Sequence, residues 1–255
     1  MADGRRAKQP HKTDAENANA KSLALSLQNI YETLVISWPT VVDAFAGRVT
    51  MQVCDERLAS WAAEIAKNSA YDLEVIGREN LGTHGESFLV MSNHQSLYDV
   101  PVLFHVLGAN LRMITKAELF KVPVFGPAMK HAGFISIDRS NRERAMQSLE
   151  IAKEKIAGGL NVWIAPEGTR SKTGELLTFK KGGFNLALDA GLCVLPVTLK
   201  GTRDILPAKG TRSRANAHVR VTIHPPIDAK EYAPRGKAGR EALMNDVRAA
   251  LESGL

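Results

Sequence analysis

The sequence has little cysteine and no long apolar run. Its 255 residues include only two cysteines, Cys54 and Cys193, at a spacing that matches no metal-binding motif. We therefore expect two buried thiols in a reducing compartment, with neither a disulfide nor a metal site. No stretch approaches the ~18 uninterrupted apolar residues of a membrane-spanning helix. The first residues, MADGRRAKQPHK, lack the apolar core of a signal peptide. The sequence thus predicts a protein that is neither exported nor inserted across a membrane.

The overall composition is that of a folded protein with a basic surface. Hydrophobic residues make up 44% and charged residues 24%, and the net charge is +6. A basic balance favours anionic partners, which include nucleic acid, anionic lipid and phosphorylated substrates. Charge alone does not choose among these partners, and a basic surface without any partner is equally compatible with it.

The N-terminal part of the chain indicates a tail followed by two helices. Residues 1–21 are polar and charged and predict a flexible tail. Residues 22–70 predict a helical hairpin, in which Pro39 should kink or divide the first helical segment. A second helix should end near Asn68. Apolar residues recur at spacings of three or four in the first segment, namely at Leu23, Leu27, Ile30, Leu34, Trp38, Val41, Phe45 and Val49.

Residues 71–255 predict an α/β domain. Short apolar runs alternate with helix-like stretches, which is typical of a mostly parallel central sheet flanked by helices. The expected strands are 71–76, 87–92, 111–115, 133–138, 161–165, 193–199 and 218–224. The expected helices lie near 99–107, 124–132, 141–157, 180–190 and 238–252.

A histidine and an aspartate follow the second of these strands. His94 comes directly after an apolar run, where α/β folds open into ligand-binding loops, and Asp99 follows five residues later. The two side chains can meet only if His94 precedes a helix and Asp99 lies in its first turn. A carboxylate on one ring nitrogen orients the imidazole as a general base, as in the serine hydrolases. Alternatively, Asp99 only caps the helix and His94 is an ordinary loop residue.

Two further clusters offer positive charge. After the strand at 161–165 come Glu167, Gly168, Thr169 and Arg170, where a tight turn and a guanidinium can hold a phosphate. Glu167 is expected to accept from glycerol hydroxyls or to orient Arg170. A plain polar turn with an internal Glu–Arg pair is the alternative. The remaining candidates are cations or glycines near strand or helix ends, with solvated charge as their alternative: Lys116, Arg139, Lys180 and Gly182.

Four blocks in order resemble a known family. NHQSLYD, then KAELFKVPVFG with GFISIDR, then PEGTRS with FKKGGF, and finally LPV are similar to the bacterial 1-acylglycerol-3-phosphate acyltransferases and the wider glycerolipid acyltransferase superfamily. The likeness covers roughly Val75 to Leu199. It departs from the family at Ala165, where an aromatic residue is common, and in lacking clear transmembrane helices.

The resemblance implies an activity and a set of residues. The enzyme would move a fatty acyl group from acyl-CoA or acyl-carrier protein to the sn-2 hydroxyl of 1-acylglycerol 3-phosphate, giving phosphatidic acid without a metal or other cofactor. His94 would be the base and Asp99 its partner. The implied substrate-binding residues are Asn93, Ser96, Lys116, Arg139, Glu167, Gly168, Thr169, Arg170, Lys180 and Gly182.

A membrane-bound acceptor requires a docking surface on the protein. The apolar stripe of the hairpin suits an interfacial helix on an anionic membrane, although it could instead simply pack on the α/β domain. The expected docking residues are Leu27, Tyr31, Leu34, Trp38 and Phe45. The expected location is cytoplasmic and peripheral, on the inner face of the cell membrane.

Other functions remain open at this point. The acceptor could be glycerol 3-phosphate or another lysolipid, because the motifs identify only a phosphate and a hydroxyl. The fold could also bind anionic lipid or nucleic acid without chemistry, for which the basic segments 203–220 and 235–240 provide some support. Such a module has no need for a His94–Asp99 pair, so the enzyme is the preferred hypothesis and nucleic acid is not expected as a partner.

Overall fold

An eight-stranded sheet forms the centre of the protein. The computed structural model describes residues 21–82, 87–138 and 141–255, so the predicted tail lies outside it except for Lys21. The strands are β1 (Asp72–Ile76), β2 (Phe88–Ser92), β3 (Leu111–Lys116), β4 (Ile135–Ile137), β5 (Asn161–Ile164), β6 (Cys193–Lys200), β7 (His218–Ile223) and β8 (Ile227–Asp228).

Eight α-helices accompany the sheet in the described part of the chain. They are α1 (Leu23–Phe45), α2 (Met51–Ser69), α3 (Asp99–Leu107), α4 (Phe125–His131), α5 (Arg142–Ala157), α6 (Gly182–Ala190), α7 (Thr202–Ile205) and α8 (Gly236–Ser253). None of these helices is long and apolar enough to cross a membrane.

The sheet is mostly parallel, as the alternation of strands and helices predicts. Its strand order is β1-β7-β6-β2-β5-β3-β4, with β8 beside β6. Among the strands of the described residues, only the pairings of β6 with β7 and with β8 are antiparallel. Successive residues of β2 point to opposite faces, so Val90 packs into one apolar core and Leu89 into the other. Helices α2 and α3 cover the first core, and α5, α6 and α8 cover the second.

The N-terminal hairpin is present, with its first helix undivided at Pro39 and its second helix ending close to the predicted Asn68. Helix α1 continues without a break through Pro39, and residues 46–50 connect it to α2. Contacts on both sides of Pro39 fix α1 against α2. The indole N–H of Trp61 donates to Thr33 Oγ1 at 3.1 Å, and Arg57 donates to Thr40 Oγ1 at 3.1 Å. Of the two effects predicted for Pro39, a kink or a division of the helix, the division is therefore wrong, because the contacts of α1 with α2 offset the lost backbone bond.

Helix α1 turns its polar face towards the protein and its apolar face outwards. Asn29, Ser37 and Thr40 are buried, and the hydroxyls of the latter two donate to the helix carbonyls of Thr33 and Ile36. At ~100° per residue, the stripe formed by the five expected docking residues spans about 60° of the helix. Every expected docking residue on it is exposed: Leu27, Tyr31, Leu34, Trp38 and Phe45. A helix packed only as part of a core would bury the opposite face.

A partly buried ion pair attaches the hairpin to the sheet. Arg112 on β3 is fully buried, and its guanidinium donates to Asp55 on α2 at 2.5 Å. The same side chain also donates to the carbonyl oxygens of Ala109 and Leu111. Removal of one partner from such a pair leaves an uncompensated buried charge. The hairpin is thus fixed to the α/β domain at the end of the sheet opposite His94.

His224 makes the packing of the C-terminal helix sensitive to pH. Its Nε2 lies 2.8 Å from Thr198 Oγ1, and that hydroxyl donates to the carbonyl of Leu251 on α8. Burial lowers the pKa of His224 below its ordinary value. Below about pH 6.5 the unfolded chain therefore binds more protons at this position than the folded chain does, and the free energy of unfolding falls as the pH falls.

We expect His224→Gln to weaken this pH dependence, because an amide N–H can still donate to Thr198 and does not titrate. Chemical denaturation at pH 7.5 and pH 5.5 measures the effect. The wild type should lose more unfolding free energy between the two pH values than the variant does. An equal loss in both proteins would contradict the role given to this histidine.

Candidate active site

The structure brings His94 and Asp99 into direct contact at the carboxyl end of β2. Strand β2 ends at Ser92, His94 lies in the following loop, and Asp99 is the first residue of α3. The Nδ1 atom of His94 lies 2.7 Å from Asp99 Oδ2. Asp99 is fully buried, whereas the His94 side chain retains 18% of its exposure. The arrangement expected from the sequence, with the histidine before the helix and the aspartate in its first turn, is present.

The contacts of Asp99 determine which nitrogen of His94 can accept a proton. Its Oδ2 atom also accepts from the backbone N–H groups of Gln95 at 2.7 Å and Ser96 at 3.0 Å. An oxygen that accepts these bonds also accepts from Nδ1, so Nδ1 carries the proton and Nε2 has the free lone pair. The ring of Trp163 packs edge-on against the imidazole with centroids 5.5 Å apart, which limits its rotation.

Glu167 holds the backbone of His94. Its Oε1 accepts from the His94 N–H and its Oε2 from the Leu177 N–H, both at 2.8 Å. The Ser171 N–H donates to the His94 carbonyl at 2.7 Å. Burial raises the pKa of Glu167, while its two backbone bonds act in the opposite direction. These contacts give Glu167 a positioning role, whereas its predicted binding of substrate hydroxyls remains a prediction.

Asn93 and Ser96 connect the same loop to the neighbouring chain. Asn93 donates to the carbonyl of Leu199 at 2.8 Å and accepts from its N–H at 2.7 Å. Ser96 donates to the carbonyl of Leu206 at 2.7 Å. Both residues are buried, so the structure favours a supporting role for them. Their predicted contact with substrate stays untested.

A cavity of about 640 Å³ opens beside His94 and extends between the hairpin and the α/β domain. This volume lies within the ~300–1,000 Å³ range of small-molecule sites. Most of its lining is apolar, as expected for a site that holds a hydrocarbon chain. The apolar lining includes Leu58, Trp61, Phe104, Met113, Met129, Phe134 and Trp163. Ala165 also lines the cavity. It occupies the position where the family that the sequence resembles often has an aromatic residue.

Part of the predicted cationic site lies at this cavity. Lys116 and Arg170 both line it, together with Thr169 and Gly168. Gly168 adopts a left-handed φ of 72°, which permits the tight turn that brings Arg170 to the same cavity as His94. No carboxylate in the described parts of the chain forms an ion pair with Arg170, so its guanidinium is available for an anion.

For three other predicted residues the structure does not confirm a place at the cavity. The lining does not include Lys180 or Gly182. The Lys180 N–H donates to the carbonyl of Pro166 at 2.7 Å, and Gly182 begins α6. Arg139 lies outside the described residues. Sequence adjacency to a motif therefore does not bring Lys180 and Gly182 to the cavity, because their segment turns away to start a helix on the other face of the sheet.

Comparisons with known proteins identify the class to which this fold and site belong. The Acyltransferase family model matches residues 72–200, which is just over half of the chain. The chain therefore belongs to this acyltransferase family. The match includes the His94–Asp99 pair, the Glu167–Arg170 turn and all of β6.

Individual relatives carry a more specific name. The chain is 33% identical over 194 residues to the chloroplastic 1-acyl-sn-glycerol-3-phosphate acyltransferase of Arabidopsis thaliana, covering 76% of this chain and 52% of that protein. It is 34% identical over 154 residues to the Saccharomyces cerevisiae enzyme of the same name, covering 59% and 50%. The chain spans about half the length of these curated relatives.

A solved structure extends the likeness to nearly the whole chain. The crystal structure of the 1-acyl-sn-glycerophosphate acyltransferase PlsC from Thermotoga maritima superposes with a TM-score of 0.69 at 26% identity. The similarity covers 90% of this chain and 95% of that one. The likeness thus extends well beyond residues 72–200 of this chain.

Proposed function

We propose that this protein transfers a fatty acyl group from an acyl thioester to the free sn-2 hydroxyl of 1-acylglycerol 3-phosphate, giving phosphatidic acid for phospholipid biosynthesis. The observation that carries the proposal is the His94–Asp99 contact of 2.7 Å at the opening of an apolar cavity that Arg170 also lines. The names of the relatives support the same acceptor.

The reaction follows from the proton positions at His94. The Nε2 lone pair removes the proton from the acceptor hydroxyl as its oxygen attacks the thioester carbonyl carbon. Asp99 stabilises the imidazolium that forms. The carbon–sulfur bond then breaks, and the imidazolium returns the proton to the departing thiolate. The substrate hydroxyl is the nucleophile, so no acyl-enzyme is formed.

The lining of the cavity suits the two ends of such a reaction. Its apolar walls accommodate a hydrocarbon chain, because burial of methylene groups is favourable by ~0.8 kcal/mol each. Arg170 can bind the phosphate of the acceptor through two parallel N–H bonds, and Lys116 adds a second positive charge. The donor in this proposal is acyl-CoA or acyl-carrier protein.

We also propose that α1 docks the protein on the membrane that contains the acceptor. The exposed stripe of this helix has 63% of Trp38 and 91% of Phe45 accessible, and its polar face is used for packing. A lipid surface is the occupant that this arrangement fits, since the acceptor itself is a lipid and the net charge of +6 favours an anionic surface. The proposed location is peripheral, on the inner face of the cell membrane.

One assay panel tests the acceptor and the donor together. Purified protein is incubated with anionic vesicles that contain 1-acylglycerol 3-phosphate, lysophosphatidylcholine or no acceptor, and separately with glycerol 3-phosphate. Each acceptor is combined with acyl-CoA and with acyl-carrier protein. Phosphatidic acid should form with 1-acylglycerol 3-phosphate and at least one donor. Acylation of glycerol 3-phosphate alone, or lipid binding without acylation, would replace the proposed function by one of the alternatives.

We expect Arg170→Ala to raise the KM for 1-acylglycerol 3-phosphate. A hydrogen-bonded charge contact contributes roughly 1.5–3 kcal/mol, which corresponds to an increase of about tenfold to a hundredfold in KM if ground state and transition state are bound equally. Steady-state rates over a range of acceptor concentration measure it. Arg240→Ala on α8, outside the cavity, is the control. An unchanged KM and rate for Arg170→Ala would remove Arg170 from phosphate binding.

A further inference from the structure

A buried polar junction connects α1 to the loop that carries His94 and Asp99. The hydroxyl of Tyr98 accepts from Asn29 Nδ2 at 2.6 Å and donates to Ser213 Oγ at 3.0 Å. Exposure is 9% or less for all three residues. Asn29 lies on α1, Tyr98 immediately precedes α3, and Ser213 lies between α7 and β7. Three segments that are distant in sequence therefore meet at one phenol oxygen.

Both partners of Tyr98 are themselves held in place. Asn29 Nδ2 also donates to Ser69 Oγ at 3.2 Å, and Asn29 Oδ1 accepts from Asn68 Nδ2 at 3.2 Å. Ser213 exchanges backbone hydrogen bonds with Ser22 at the start of α1, at 2.7 and 3.1 Å. The phenol oxygen thus binds to a rigid polar network that joins the beginning of α1 to the end of α2.

Tyr98 is also the residue directly before Asp99. Its backbone N–H donates to Ser96 Oγ at 3.1 Å, and its carbonyl accepts from Val102 in the first turn of α3. The loop just before Tyr98 supplies two of the three bonds that fix Asp99 Oδ2, from the backbone N–H groups of Gln95 and Ser96. A shift of the Tyr98 side chain would therefore move the carboxylate that orients His94.

We propose that Tyr98 is a positioning residue, whose hydroxyl holds the His94–Asp99 pair in its reactive geometry by anchoring the pair to α1. The inference rests on the proposed function, because it concerns the rate of the same acyl transfer. The inference gives α1 a second role besides docking. The apolar stripe of the helix faces outwards, and its polar face binds the loop that carries His94 and Asp99. Misplacement of a reacting group by ~1 Å can cost up to about a hundredfold in rate.

The test compares two tyrosine-to-phenylalanine variants. Tyr98→Phe keeps the buried ring and removes both junction bonds. Tyr71→Phe is the matched control, because Tyr71 is also buried and its hydroxyl lies 3.1 Å from Nδ1 of His105 at the other end of α3. We expect kcat to fall about tenfold or more in Tyr98→Phe with a KM within about twofold of the wild type. Tyr71→Phe should retain the wild-type kcat, even where its melting temperature falls by a similar amount.

Two further variants distinguish positioning from a general loss of packing. Ser213→Ala and Asn29→Ala each remove one partner of the phenol, and each should lower kcat alone. Combined with Tyr98→Phe, each should lower kcat by less than it does alone, because its bond to the phenol is already absent. Should Tyr98→Phe fail to fold, Ser213→Ala, a smaller change, serves as the single variant in its place. Binding to anionic vesicles should be unchanged in Tyr98→Phe and Ser213→Ala.

Three results would overturn the inference. The first is a wild-type kcat in Tyr98→Phe, or in Ser213→Ala if that variant replaces it. The second is a fall in kcat of Tyr71→Phe that equals the fall in Tyr98→Phe. The third is that the losses of kcat in the double variants are additive. Failure of the proposed function is a separate result, because the wild-type protein would then form no phosphatidic acid in the same assay. If the wild type is active and Tyr98→Phe is equally active, only the positioning role is wrong.

Discussion

His94→Ala is expected to lower the rate of acyl transfer by about 10²–10⁴-fold, which is the typical contribution of a general base. The loss should appear in kcat, because Nε2 acts on the hydroxyl proton only in the transition state. Asp99 and the cavity remain in this variant, so the KM for the acceptor should change little. Initial rates of phosphatidic acid formation at saturating thioester measure the effect.

His105→Ala is the control for this prediction. His105 lies on α3, the helix that Asp99 begins, and its ring contacts Tyr71 and not the cavity. The control should retain the wild-type kcat. A near-normal turnover of His94→Ala would contradict base catalysis by this residue, whatever the acceptor.

Introduction of two charges on the outward face of α1 is expected to weaken vesicle binding by roughly a hundredfold or more. In the variant Trp38→Asp with Phe45→Asp, two aromatic side chains are removed, and burial of each contributes about 1.5–3 kcal/mol. Both positions are exposed in the protein, so the substitutions should leave the free energy of unfolding nearly unchanged. Co-sedimentation with anionic vesicles measures the binding, and phosphatidic acid formation on the same vesicles should fall in parallel.

The control for the docking prediction lies on the other face of the sheet. Met146 and Ile151 on α5 are 59% and 45% exposed, and α5 packs on the core opposite the hairpin. Met146→Asp with Ile151→Asp adds the same charge and should leave vesicle binding within about threefold, since screened long-range charge effects are small. Equal losses in both variants would indicate a general charge effect and contradict a docking role for α1.

Much of the fold can be predicted from short apolar runs, because strands buried on both faces are continuous in hydrophobicity. Strands β2, β5 and β6 follow this pattern, whereas β7 alternates between apolar and polar residues and β8 has only two residues after Pro225 and Pro226. The contact of His94 with Asp99 is also predictable, since both lie within one strand–loop–helix unit and local geometry decides whether they meet.

Contacts between distant segments are not predictable from local pattern. The bond of Glu167 to the backbone of His94 joins two strand ends 73 residues apart, and the glutamate alone gives no sign of it. Pro39 predicts a kink or a division of α1, and tertiary contacts prevent the division. The apolar stripe of α1 could face either inwards or outwards. The polar stripe on the opposite side of α1 indicates which face packs on the protein. Its residues recur at spacings of three or four and form the packing face: Asn29, Thr33, Ser37 and Thr40.

The most direct test of the central proposal follows thiol release and intact protein mass during a single experiment. Acyl-CoA, or acyl-carrier protein if the panel identifies it as the donor, is mixed with the protein on anionic vesicles with and without 1-acylglycerol 3-phosphate. If His94 activates the acceptor hydroxyl directly, thiol release requires the acceptor, equals the phosphatidic acid formed, and leaves the protein mass unchanged. A burst of thiol without acceptor, accompanied by an acyl adduct on the protein, would contradict the mechanism.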